Sequence, residues 1–362
     1  MTDAELRARA TADSGRRRAV VGMRGRGTLG QRVRAGLLSA ISVAACRLPE
    51  GPQVALAELA GRVWYRVAPT RAAQARRNLR RVVGHLVTTG MGDARVRAAA
   101  HDPRALEALV RSAFRHNARY YLEVIRAPAL SAEWFEERLV VETPDVVAAA
   151  FADDRPKVFI SGHFGPIEMP GLYLGRRSER PIVAPMETVD DPALQGWFER
   201  TRSAFGVRIV TLREARRELT AALGRGESVG LVADRDVSGG GIEVPFFGKP
   251  AALPIGPALL AAESGARLFL AGVWRVGRRG YRGRLAEVPV VREGPRRERI
   301  AGTLAAEAAA FEQVIANAPD QWSAVFFPIW ADLEAAASTA SAGVASAASA
   351  GVAPTPGDRE TP

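Results

Sequence analysis

From Lys157 onward, short apolar runs at 157–161, 181–185, 207–211, 229–233 and 267–273 alternate with segments that carry helical spacing. A chain that alternates in this way buries both faces of its strands by laying helices over them. The expected fold class is therefore α/β, a mostly parallel central sheet flanked by helices. The first run, Lys157 to Ser161, passes straight into Gly162-His163-Phe164-Gly165-Pro166-Ile167-Glu168. The two glycines permit a sharp turn, and Pro166 has its φ already set for a first helical turn. His163 is thus expected at the carboxyl end of a strand, the edge of an open α/β sheet where ligands bind.

Five steps along a straight helix rotate a side chain by about 140°, so His163 and Glu168 do not share a helix face. The histidine must sit in the loop and the glutamate in the first turn that follows. From there the two can converge on one substrate, the imidazole as general base and the carboxylate as an orienting or charge-stabilising group. A turn histidine that only makes hydrogen bonds is the plainer alternative. Pro170 removes a backbone donor just inside this helix, which is expected to be bent or late-starting there.

The stretch from Gly162 to Glu168 resembles the His-x4-Asp/Glu motif of the bacterial acyltransferases that include the lipid A late acyltransferases and the actinobacterial phosphatidylinositol mannoside acyltransferases. Pro166-Ile167 stands where that family often has Asn-Trp. The likeness extends to Val232-Ala233-Asp234-Arg235-Asp236, to Gly241-Ile242-Glu243-Val244-Pro245-Phe246-Phe247-Gly248, to Arg77-Asn78-Leu79-Arg80-Arg81-Val82-Val83 and to Pro319-Asp320-Gln321-Trp322. Together these stretches span roughly residues 32 to 333, and the Asp-Arg-Asp and Phe-Phe-Gly blocks are similar to the mannoside branch.

The resemblance implies transfer of a long acyl chain from acyl-CoA, a co-substrate, to a sugar hydroxyl of a phosphatidylinositol mannoside, with no cofactor; no metal is expected either, since His85, His101 and His116 have no second ligand-type residue at metal spacing. In such a reaction His163 is the base. Glu168 or Glu243 orients its ring, and the family likeness favours Glu243, leaving Glu168 beside the acceptor. Arg202 resembles an arginine that holds a substrate phosphate, although an ion pair with Glu199 would also satisfy it. Asp234, Arg235 and Asp236 read as a second strand-end loop reaching the same crevice as His163, with substrate-binding roles. Gly239, Gly240 and Gly241 would let the Glu243 segment close over a substrate. A lipid A type enzyme using acyl carrier protein is the nearest rival.

Charge adds a second expectation. The chain carries a formal net charge of +11, almost all of it arginine, since Lys157 and Lys249 are the only lysines. Nine arginines against Asp3, Glu5 and Asp13 place more than half of that excess in residues 1–34. Basic arms bind nucleic acid or anionic membranes, and no interleaved aromatic and basic pattern of the kind that stacks bases is present, so no nucleic-acid partner is expected. Arg76, Arg77, Arg80 and Arg81 form two rows at four-residue spacing, either a solvated helix face or a dock for lipid phosphates. The longest apolar stretch, Ala35 to Cys46, is too short and too interrupted to span a bilayer. Without an ordered signal peptide the expected location is the cytoplasmic face of the cell membrane, as a peripheral protein on its anionic surface.

The expected organisation is a disordered basic arm at 1–30, an acyltransferase domain at 31–335 and a disordered Ala/Ser/Gly-rich tail at 336–362. Within the domain, 31–130 is the helical part and 131–335 the α/β part. Cys46 is the only cysteine, so no internal disulfide forms. Three motifs fail on context. Gly25 to Gly30 has the glycine spacing of a dinucleotide loop but no strand before it, and Gly226 to Gly230 has the nucleophile-elbow spacing but precedes its strand. The run from Asp234 opens like a calcium loop, yet Pro245 occupies the position of its closing glutamate.

Overall fold

The computed structural model describes residues 28–186, 191–237 and 239–339. The expected basic arm and Ala-rich tail lie almost wholly outside the described residues, as does the first half of the 25–30 glycine motif. Five helices come first: α1 (Leu29–Arg47), α2 (Glu50–Val67), α3 (Pro69–Thr88), α4 (Ala94–His101) and α5 (Pro103–Arg126). Thr28 and Gln31 close a reciprocal capping box on α1, Asp93 and Asp102 cap α4 and α5, and prolines stand at the first positions of α3 and α5. Helix α2 crosses α5 at Gly61, where a Cβ would lie 2.7 Å from the Arg115 Cα. Only a glycine lets the two backbones approach so closely.

The α/β part follows as α6 (Ala132–Arg138), β1 (Leu139–Val141), α7 (Pro144–Phe151), β2 (Lys157–Ser161), α8 (Glu168–Arg177), β3 (Ile182–Met186), α9 (Pro192–Ser203), β4 (Val207–Thr211), α10 (Ala215–Gly224) and β5 (Ser228–Val232). A hairpin of β6 (Ile242–Phe246) and β7 (Lys249–Leu253) precedes α11 (Gly256–Ser264), β8 (Arg267–Val276), β9 (Gly280–Val288) and α12 (Arg296–Ile315). Two short 3₁₀ turns, Pro319–Gln321 and Ser323–Phe326, and a helix at 331–339 end the described chain. That last helix runs on past residue 335, where the domain was expected to stop.

The main sheet has seven strands in the order β1-β9-β8-β2-β5-β3-β4. The five runs expected from sequence are its parallel block, β8-β2-β5-β3-β4, while β9 is antiparallel to β8 and β1 is parallel to β9. Strand β2 lies at the centre, and Val158, Phe159 and Ile160 are buried on both faces. Helix α8 starts at Glu168, so Pro170 falls in the first turn, where its missing N–H would have had no helical partner anyway. The helix starts two residues after Pro166, a late start as expected, and Pro170 needs no bend to be accommodated.

The α3 arginines do a different job from either one expected of them. Arg76 holds Glu107 of α5 through two hydrogen bonds of 2.6 and 2.9 Å, Arg77 bonds Gln74 and lies 3.7 Å from Glu334, and Arg81 grips Asp332 with two bonds of 2.6 Å. Arg80 alone of the four is exposed. Between these pairs the buried Asn78 amide donates to the Val325 and Phe327 carbonyls at 2.9 and 2.8 Å. Helix α3 therefore straps the 320–334 segment onto the domain, and that segment in turn shapes the site.

Candidate active site

Strands β2 and β5 are hydrogen-bonded neighbours, with Ser161 opposite Val232 and the Ala233 amide donating to the Ser161 carbonyl at 2.9 Å. Their loops leave the carboxyl edge of the sheet side by side. His163, two residues beyond β2, thereby meets Asp234, two residues beyond β5. The His163 Nδ1 lies 2.7 Å from Asp234 Oδ1, and the His163 backbone N–H donates to Asp234 Oδ2 at 2.8 Å. The Trp322 indole N–H reaches the same Oδ2 at 2.6 Å. Asp234 is fully buried, whereas the His163 side chain is one-third exposed. Burial alone would lift the Asp234 carboxyl, but the imidazole, the indole and the backbone amide outweigh it and hold the carboxyl below its ordinary value. It is a carboxylate with fixed donors on both oxygens, the arrangement that keeps the proton on Nδ1 and leaves Nε2 as the basic nitrogen.

Two glycines make this meeting possible. A Cβ on Gly162 would press against Asp234, at 3.0 Å from Oδ2. Gly165 has φ +58, and a Cβ there would overlap the Val273 carbonyl oxygen of β8. The loop is then pinned from the other side by the strapped segment: Gly165 N–H donates to the Gln321 carbonyl at 2.9 Å, and Ser323 N–H and Oγ both donate to the His163 carbonyl at 2.7 and 2.9 Å. The Pro319-Asp320-Gln321-Trp322 block is thus the clamp of the histidine loop.

Glu168 lies in a second cluster. Its carboxylate pairs bidentately with Arg202 of α9, at 2.9 Å to Nε and 2.5 Å to Nη2, so the expected alternative partner Glu199 is not the one Arg202 takes. Arg202 also lies 5.1 Å above the Phe198 ring. Burial works against the guanidinium charge, but Glu168 more than restores it and raises the Arg202 pKa. Tyr120 of α5 feels both: burial first, then the Glu168 charge, push its phenol up. The site therefore presents a base with its carboxylate, and beside it a matched ion pair with a tyrosine.

The remaining expected residues fall elsewhere. Glu243, favoured from the family likeness to orient His163, is exposed on β6 opposite Ala252, and among the described residues no hydrogen bond or ion pair joins it to the histidine. Asp234 fills that position because β5, not the hairpin, is the neighbour of β2. Asp236 accepts from the Gly239 and Gly241 amides at 3.0 and 2.8 Å and so shapes its own loop, and Arg235 stacks over Phe327 at 4.1 Å. Among the described residues, no hydrogen bond or ion pair joins Arg235 to His163. Trp322 had no assigned role in the sequence beyond its place in a similar block, and its contact with Asp234 spans 88 residues.

A strand-end histidine held by a buried carboxylate, on a mixed α/β sheet with a helical layer before it, suits general-base chemistry. The chain belongs to the bacterial lipid A biosynthesis acyltransferase family, whose model matches residues 35–326. A phosphatidylinositol mannoside acyltransferase of Mycolicibacterium smegmatis is 31% identical over 208 residues, which cover 56% of this chain and 63% of that protein. One of Mycobacterium tuberculosis is 31% identical over 211 residues, 57% of this chain and 62% of its own length. The match thus spans somewhat under two thirds of these relatives. No helix among the described residues is long and apolar enough to cross a membrane.

Proposed function

We propose that this protein moves a long acyl chain from acyl-CoA to a sugar hydroxyl of a phosphatidylinositol mannoside. The observation that carries the reading is the His163–Asp234–Trp322 constellation at the adjoining ends of β2 and β5, in a chain of this family. Nε2 of His163 takes the proton of the acceptor hydroxyl as its oxygen bonds to the thioester carbonyl carbon. The tetrahedral intermediate then collapses, its carbon–sulfur bond breaks, and the thiolate recovers the proton from the imidazolium. The products are an ester and the free thiol of CoA. Asp234 keeps the ring in the working tautomer and stabilises the imidazolium charge between the two steps. The Glu168–Arg202 pair, already matched within the protein, would form a polar wall beside the base toward the head of the incoming lipid.

The substrate would reach this site from a membrane, and the surface of α1 and α2 supports a peripheral seat on the cytoplasmic face. Val33, Leu37 and Ile41 of α1 and Leu56, Leu59 and Val63 of α2 are all exposed, at four- or three-residue spacing along each helix. Residues 35–46 carry no charge, and arginines (Arg32, Arg47, Arg62, Arg66) stand at the ends, while Arg34 pairs with Asp191 at 3.0 Å. The acids of α2 are turned away: Glu50 pairs with Arg138, and Glu58 lies 3.8 Å from Arg119. An apolar ridge rimmed by cations is what an anionic lipid surface binds. The test of the whole reading is incubation of the purified protein with acyl-CoA and phosphatidylinositol mannoside, followed by mass spectrometry of the lipid. Gain of one acyl group with stoichiometric free thiol is expected. Activity only with acyl carrier protein, or only on a lipid A precursor, would replace this reading with the rival enzyme of the same family.

A further inference from the structure

Among the described residues one non-glycine has a positive φ: Phe247, at +49°. It opens the two-residue turn between β6 and β7, across which Phe246 pairs with Lys249, and Gly248 follows it at +74°. Tight hairpin turns with two positive φ values favour Asn-Gly or Gly-Gly, because a bulky side chain is strained in the left-handed region. Such strain persists only where the surrounding structure holds it in place.

Two helices hold this turn. The Phe247 backbone N–H donates to Glu312 Oε1 of α12. The other carboxylate oxygen, Oε2, lies 3.1 Å from Nε2 of His85 on α3. The His85 ring stands edge-on to the Phe247 ring with centroids 5.7 Å apart, and a Cβ on Gly248 would lie 2.9 Å from its Nδ1. Both residues of the turn are thereby fixed from outside the hairpin.

What the turn delivers is an aromatic wall around Trp322. Phe246 meets the Trp322 ring edge-on at 5.6 Å, and Phe247 lies 5.7 Å from it at 38°. Trp330 closes a further side at 6.4 Å and donates its indole N–H to the Phe246 carbonyl at 3.0 Å. All four rings are buried, so Trp322 has little room to turn. Its one polar atom, the indole N–H, is the donor to Asp234 Oδ2. An asparagine at 247 would suit the turn better and would leave that side of the indole unsupported.

We propose that Glu312 is a positioning residue for acyl transfer: by accepting from the Phe247 amide it holds a strained turn whose two rings fix the Trp322 indole, and through it the Asp234 carboxylate that orients His163. The proposal rests on the reading of His163 and Asp234 as the base and its carboxylate.

The test compares Glu312→Ala, which removes the acceptor, with Glu312→Gln, which keeps a carbonyl oxygen for the Phe247 N–H. One arm measures kcat and KM for transfer from acyl-CoA to phosphatidylinositol mannoside. The other follows the proton–nitrogen NMR resonance of the Trp322 indole, identified among the six tryptophans by its absence from Trp322→Phe. Glu312→Ala should lower kcat by about tenfold, short of the ~10²-fold that a misplacement of about 1 Å can cost, with KM within about threefold. The same variant should move the indole resonance, and Glu312→Gln should restore both the rate and the resonance. A loss of kcat with the indole unmoved, or a moved indole with kcat unchanged, would overturn the proposal. So would a Gln variant as impaired as the Ala variant, which would place the effect in the charge facing His85 instead of the acceptor for Phe247. If Glu312→Ala fails to fold, Phe247→Leu keeps apolar bulk without the ring and should give the same kcat loss and indole shift; an unchanged rate and resonance there would equally overturn it. A wild type inactive toward both substrates would sink the acyltransfer reading alone, since the indole arm needs no substrate and still decides whether Glu312 governs the Trp322 contact.

Discussion

Helix α3 and the α1–α2 pair are neighbours in sequence and use their side chains in opposite ways. On α3 three of four clustered arginines turn to carboxylates of α5 and of the C-terminal segment, and the helix ends up as a structural strap. On α1 and α2 leucines, isoleucine and valines point outward, and Leu37 and Leu56 are 60% and 67% exposed. Charge density along the chain would have put the membrane contact on α3. The pairing of those charges turns the proposed contact to the exposed apolar rows of α1 and α2, because a guanidinium tied to carboxylates of the fold presents less charge to a lipid phosphate.

Changing the ridge should have the largest effect. Leu37→Glu with Leu56→Glu removes two side chains each worth about 1.5–3 kcal/mol of burial, so binding to anionic vesicles should fall by about 10²-fold or more with the melting temperature little changed. Replacing Arg76, Arg77, Arg80 and Arg81 together by Gln should do the reverse, lowering stability while leaving most vesicle binding intact. Sedimentation with vesicles beside thermal melting separates the two, and equal loss of binding from both sets would erase the distinction drawn here.

A sharper probe of the strap is Asn78→Ala. The amide serves two buried carbonyls, and its removal should cost about 2–3 kcal/mol in denaturant unfolding, whereas Arg80→Ala should stay within about 0.5 kcal/mol. The Asn78 variant should also lose acyl transfer beyond its loss of stability, because the strap clamps the His163 loop through Gln321 and Ser323.

A smaller effect concerns Glu307, on the buried face of α12. Neither of its carboxyl oxygens has a hydrogen-bond partner, and burial pushes its pKa well above 4.5. The native state therefore keeps a proton that the unfolded chain releases above about 4.5, so this group lowers stability as pH rises past that value. Glu307→Gln should flatten that part of the stability–pH curve. A curve identical to the wild type would mean that the carboxyl is not neutral in the fold.

How much of this was legible in the sequence depends on whether the information was local. The five parallel strands were, since each is a short β-branched or apolar run between breakers. Strand β9 was not, because Gly280, Gly283, Arg282 and Arg284 hide an alternation whose buried members are Tyr281, Gly283, Leu285 and Val288. The β6–β7 hairpin carries Pro245 and Pro250, which argue against a strand in any sheet interior and are tolerated in a two-stranded ribbon. His163 was legible from its glycines and its place after a strand. Its carboxylate was not, because the strand order that puts β5 beside β2 brings together residues 71 apart. Family likeness pointed to Glu243, and only the register of Ser161 against Val232 selects Asp234.

The pairing of His163 with Asp234 is the centre of the account, and steady-state acyl transfer by Asp234→Asn and Glu243→Gln, each alone and combined with His163→Ala, tests it most directly. His163→Ala should lower the rate by ~10²- to 10⁴-fold, Asp234→Asn by a similar or somewhat smaller factor, and the double variant should be little worse than His163→Ala alone, since a carboxylate that acts through the ring has nothing to hold once the ring is gone. Glu243→Gln should stay within about threefold of the wild type. An Asp234→Asn enzyme of near-normal rate beside a Glu243→Gln enzyme crippled to the level of His163→Ala would contradict the assignment.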